Sequence, residues 1–160
     1  MASADDLEKF ANEISKEPFG VAKYAPEPWA QPRICFENVD QKVARSGGAA
    51  IYAWMFQLKI LASGEYFIAI HHAVWQAKTG HLFDVTPYHE DRKHHPLSED
   101  GGTLIVVDRK SKPVQTDRIK FGPLPSKFYP IDRTPEALAH IERLRADEIE
   151  HCKRLYGRFE

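Results

Sequence analysis

Three residue types that together carry out acyl transfer on a thiol occur in order along this 160-residue chain: Cys35, His72 and Asp84. A cysteine attacks a carbonyl as its thiolate, and the first turn of a helix favours that anion through the macrodipole and unsatisfied N–H groups. A base must lie within hydrogen-bond reach of the sulfur, and a third group must fix the tautomer of that base. Cys35 lies in the first turn of the helix read from "ICFENVDQKVARSGG", in which Cys35, Val39 and Val43 form an i, i+4, i+8 stripe ended by Gly47-Gly48. His72 and Asp84 flank a turn in "FIAIHHAVWQAKTGHLFDVTP", residues 67–87. A loop centred on Lys78 would set them opposite each other, on the same side of a hairpin.

Strand parity separates the two adjacent histidines, because successive side chains point to opposite faces. If Ile68, Ile70 and Val74 face the helix, His72 joins them, and His71 sits with Phe67, Ala69, Ala73 and Trp75. Plainer roles stand beside these. A cysteine in an amphipathic helix also serves as a small core hydrophobe, a histidine ending an apolar strand as a satisfied core residue, and Asp84 as a strand cap.

Positioning these residues requires an α+β architecture, read here as one domain. A first helix runs from Asp5 to about Lys16, with Leu7, Phe10, Ala11 and Ile14 on one face and Ser3 or Asp5 as its cap. Residues 17–33 hold four prolines and read as an irregular connection. "AAIYAWMFQLKIL", "EYFIAIHHAVW", "HLFDVTP" and "TLIVVD" read as four strands of an antiparallel sheet, packed against the helix that carries Cys35. Residues 113–133, with four more prolines, predict extended packing. Thr134-Pro135-Glu136 supplies a cap, a first-turn proline and a first-turn acid for a C-terminal helical extension, about 134–157.

Composition limits the partners. Net charge is −1, and charged residues make up 28% of the chain, so no global field argues for nucleic acid or an anionic membrane. The N-terminus lacks the basic and apolar regions of a signal peptide, and no apolar run approaches transmembrane length; a cytoplasmic protein is the expectation. Two cysteines, Cys35 and Cys152, are too few for a disulfide framework. Six of the eight histidines fall between His71 and His95. His89, His94 and His95 with Glu90 and Asp91 are metal ligands by type, in a loop that otherwise reads as solvated surface. Cys35, His72 and Asp84 form an alternative zinc set, since tetrahedral zinc accepts such donors. Oligomeric state leaves no mark on the sequence.

The order of a cysteine at a helix start, a glycine after that helix, a strand with Trp54, and then "HAVWQAKTGHLFDVTP" resembles the transglutaminase-like, papain-related cysteine hydrolases over about residues 33–87. Here Trp75 follows His72 by three residues, and Asp84 is followed by Val-Thr-Pro. The resemblance implies Cys35 as nucleophile, His72 as base and Asp84 as orienting acid. It further implies a peptide, protein or small amide or thioester substrate, an acyl-enzyme intermediate and no cofactor. The oxyanion needs a donor; the Cys35 N–H is one candidate, and the side chain of Gln31 or Trp29 another. Trp29, Trp54 and Trp75 are candidates for core or for the wall of the substrate pocket. A non-catalytic binding module on the same scaffold, holding zinc through Cys35, His72 and Asp84, is the contrasting expectation.

Overall fold

The computed structural model of the chain describes residues 2–88 and 101–157. The histidine-rich loop, with His89, Glu90, Asp91, His94 and His95, lies outside the described residues. Helix α1 spans Ala4–Ile14, where the Ser3 hydroxyl caps it by accepting the Asp6 N–H at 3.1 Å. Its Leu7, Phe10 and Ala11 bury against Trp54, Phe56, Phe67 and Val106. Helix α2 spans Cys35–Ser46, and helix α3 spans Pro135–Tyr156.

The strands are β1 (Phe19–Tyr24), β2 (Ala49–Leu61), β3 (Gly64–Gln76), β4 (Leu82–Asp84), β5 (Thr103–Val107) and β6 (Lys127–Pro130). The α+β class matches the expectation, with six strands in place of four. The two further strands lie inside the proline-bearing stretches. Pro18 and Pro26 flank β1 without interrupting it, and Pro130 ends β6. Both strands are short, and their existence depends on partners distant in sequence, which local patterning does not register. β1 pairs antiparallel with β5 and parallel with β4, and β6 pairs with the first half of β3.

The order β2-β5-β1-β4-β3 closes on itself, because β2 and β3 also pair along their full lengths. The ring encloses Ala22, Ile51, Ala53, Val74, Ile105 and Val107. Small and β-branched side chains suit so narrow an interior. Helix α1 covers one part of the outer face. Helix α2 covers another through Phe36 and Val39, which pack with Ala73 and Val85.

Two closures set the position of β3. Gly48, after α2, has φ +77°, and a Cβ there would lie 2.3 Å from the Gln76 carbonyl oxygen, so only glycine fits. The β3–β4 register pairs Trp75 with Phe83 and Gln76 with Leu82. The turn is therefore centred on Thr79, not Lys78. Asp84 keeps the face of His72 but falls diagonally from it rather than directly opposite.

Helix α3 begins where its cap predicts, the Thr134 hydroxyl accepting the Ala137 N–H at 3.1 Å, and ends at a left-handed Gly157. It buries Ile141 against Tyr66 and Phe128, so it belongs to the same core as the β3–β6 pair. Among the described residues, no helix is long and apolar enough to cross a membrane.

Candidate active site

Cys35 is the first residue of α2 and is buried. The preceding Ile34 makes no side-chain cap bond, and Arg33 sits at φ +71°, a conformation a long side chain adopts only when its surroundings enforce it. Asn38 is one source of that constraint. Its Oδ1 accepts the Gln31 N–H at 3.2 Å, and its Nδ2 donates to the Gln31 carbonyl at 2.7 Å and to Thr86 Oγ1 at 3.1 Å. One buried amide thus ties the chain before the helix to the chain just past β4. This linkage sets the distance between the thiol and the acid two residues before Thr86.

His72 Nε2 lies 3.1 Å from Asp84 Oδ1. Asp84 has no exposed surface, and its other oxygen accepts the Thr103 hydroxyl at 2.8 Å. The Thr86 N–H approaches Oδ1 at 3.4 Å. Cys35 and the His72 ring line the same cavity. Burial by itself would depress the His72 pKa. The negative charge of the Asp84 carboxylate and its hydrogen bond, with the nearby Cys35 side chain, outweigh it and hold the His72 pKa well above 6.5.

The route by which sulfur meets imidazole differs from the parity expectation. Helix α2 packs on the His71 face of β3, with the Phe36 ring 4.7 Å from His71 and Ala73 in the same cluster. Ile70, His72 and Val74 point to the opposite face, toward Met55, Ala53 and Ile51. Cys35 and His72 nevertheless line one cavity, at a break in the sheet. The outer edge of β3 pairs with β6 at Tyr66–Ala69 and with β4 at Trp75–Gln76, and His72 lies in the interval between them. Val39 packs with Cys35, Phe36 and Ala73 on the other face.

His71 has a separate role. Its Nδ1 accepts the Leu124 N–H at 2.9 Å, so the ring proton is on Nε2, which donates to the Ser111 carbonyl. Burial pushes its pKa down to about 4, the Ser111 contact opposing only in part. His71 is a neutral buried clamp for the 111–124 segment.

A cavity of 370 Å³ opens on Cys35, His72 and Asp84. Its apolar wall includes Phe36, Met55, Ile70 and Phe121, and its polar wall includes Thr86 and Tyr88. Gln31, Trp29, Trp54 and Trp75 do not line it. Trp29 lies under the Arg45 guanidinium, 4.4 Å from ring centre to charge. Trp54 is buried against α1 and donates to Asp108 Oδ2 at 3.0 Å. Trp75 donates to the Gly47 carbonyl at 2.8 Å, closing the end of α2 onto β3. Indoles need a partner for their N–H when buried, and each of the latter two finds one in the scaffold. The cavity wall falls instead to residues with no local motif, Met55, Ile70 and Phe121. The functional positions missed by motif reading are Asn38, Thr86 and Thr103.

Among the described residues, no three His, Cys, Asp or Glu side chains group as a metal-holding set. Cys152, buried on α3, has its thiol pKa raised by burial and by the Glu148 charge. No protein-family model, curated protein or solved structure matches the chain.

Proposed function

We propose that Cys35, His72 and Asp84 form a thiol acyl-transfer centre, and that the protein is a cysteine-dependent hydrolase or acyltransferase acting on an amide or thioester. The observation that carries this reading is one imidazole 3.1 Å from a fully buried carboxylate, lining a single cavity with a cysteine on the first turn of a helix without a side-chain cap. A structural cysteine needs neither neighbour.

Asp84 engages Nε2, which leaves Nδ1 for the thiol. The Cys35 proton passes to His72, and the thiolate attacks the substrate carbonyl carbon. The resulting oxyanion lies against the N–H groups of the first turn of α2, where the macrodipole favours negative charge. His72 then returns the proton to the departing nitrogen or sulfur, and the acyl group remains on Cys35 as a thioester. Water, or an amine acceptor, gives up a proton to His72, attacks the thioester and frees the thiol. Met55, Ile70 and Phe121 favour an uncharged, apolar group beside the scissile bond.

Hydrolysis of a model acyl thioester should be lost in Cys35→Ala while the folded state persists. Stoichiometric zinc in the purified protein, released when Cys35 is replaced, would instead support the binding-module reading and overturn this one.

A further inference from the structure

The Asp84 carboxylate does not end the line of polar contacts. Oδ1 faces His72, and Oδ2 accepts the Thr103 hydroxyl at 2.8 Å. Thr103 is buried, with 1% of its surface exposed, and belongs to β5, the strand across the ring from the hairpin that carries His72. Its Oγ1 also meets the Tyr88 hydroxyl in a short contact. A threonine hydroxyl has one proton, and here it goes to the carboxylate, so Tyr88 is the donor to Thr103. Tyr88 lines the cavity, stacks on Tyr24 with ring centres 4.2 Å apart, and donates its backbone N–H to the Tyr24 hydroxyl at 3.0 Å. The donors therefore run in one direction: Tyr88 to Thr103, Thr103 to Asp84.

We propose that Thr103 is a positioning residue of the acyl-transfer centre, holding the Asp84 carboxylate at the angle at which it orients His72, and that Tyr88 links this hold to the cavity wall. The inference rests on the proposed role of Cys35, His72 and Asp84. A carboxylate with one oxygen unheld can rotate about its last torsion and present either lone pair, or neither, to the imidazole. The hydroxyl removes that freedom from a carboxylate with no exposed surface. Aligned donors also polarise one another, so the outer Tyr88 strengthens the inner bond.

The test is the titration midpoint of the His72 imidazole, followed by NMR, together with the alkylation rate of Cys35 by iodoacetamide. Thr103→Val preserves shape but removes the hydroxyl. The His72 midpoint should fall by about one pH unit, because an anionic acceptor loses one of its donors' help in facing the ring. Cys35 alkylation at pH 6 should slow several-fold. Thr103→Ser should restore both, which a purely structural role would not require, and Tyr88→Phe should shift the midpoint in the same direction by less. If Thr103→Val does not fold, Thr103→Ala carries the same comparison. A wild-type midpoint in both hydroxyl-free variants overturns the inference and leaves the proposed centre standing. A wild-type Cys35 no more reactive than Cys152 overturns both.

Discussion

His71 and His72 are adjacent in sequence and sit in opposite electrostatic states, and the cause is what each ring nitrogen meets. His72 has an anionic partner, which outweighs its burial; His71 has a backbone carbonyl and a backbone N–H, which do not. The pH dependence follows with opposite signs. For His71 the folded pKa, about 4, is below the unfolded value near 6.5, so the unfolded chain binds the extra proton between those values. Its stability contribution is complete above pH 6.5 and is lost as pH falls toward 4, about 3 kcal/mol in all. Denaturant unfolding at pH 7 and pH 4.5 should show this loss, and His71→Gln should flatten the difference. For His72 the folded pKa is raised, so its contribution is present below pH 6.5 and disappears as pH rises through the folded value. Catalysis should accordingly lose its alkaline limb well above pH 6.5. Asp84→Asn should move that limb toward acid and slow thioester hydrolysis by about 100-fold or more, measured as kcat/KM against pH. Residue types and order made Cys35, His72 and Asp84 visible in the sequence. Asn38 and Thr103 were not, because the contacts that tie them to the site are with Thr86 and Asp84, 48 and 19 positions away.

Helix α2 and the β3–β4 turn are the elements that assemble the site. The bounds of α2, α3 and β2 were legible because each carries its own signals: a stripe, a cap, a proline or a glycine stop. The β3–β4 register was legible only in parity. Centring the turn on Thr79 rather than Lys78 moves the facing pair by two residues and leaves the face unchanged, so His72 and Asp84 still meet, on the diagonal. The face of β3 that α2 covers was not legible, since both faces are apolar. Gly48 is the tightest point of the junction between α2 and β3. Gly48→Ala places a methyl against the Gln76 carbonyl at a positive φ, and should destabilise the fold by about 2 kcal/mol or more in urea titration. Because the clash also pushes α2 away from β3, Cys35 alkylation in the folded variant should slow as well.

At the scale of the molecule, closure of the ring is what brings β5, and with it Thr103, to the far side of Asp84 from His72. A four-stranded meander would leave that carboxylate open to water on one side. The parallel β1–β4 pair that permits closure joins residues about 60 positions apart, beyond the reach of any local pattern. Helix α3 reads in the sequence as an extension, yet Ile141 fills the same cluster as Tyr66 and Phe128. A chain ending at residue 133 should therefore bind a hydrophobic dye and unfold at lower denaturant than the full chain. The central claim is that this fold delivers one thiol to one oriented imidazole, and the alkylation rate of Cys35 by iodoacetamide as a function of pH tests it most directly. At pH 6 Cys35 should react at least about 10-fold faster than free cysteine, whose pKa is about 8.5, with Cys152 unlabelled and the advantage lost in His72→Ala. A Cys35 rate that climbs only with the ordinary thiol titration, unchanged by His72→Ala, would contradict it.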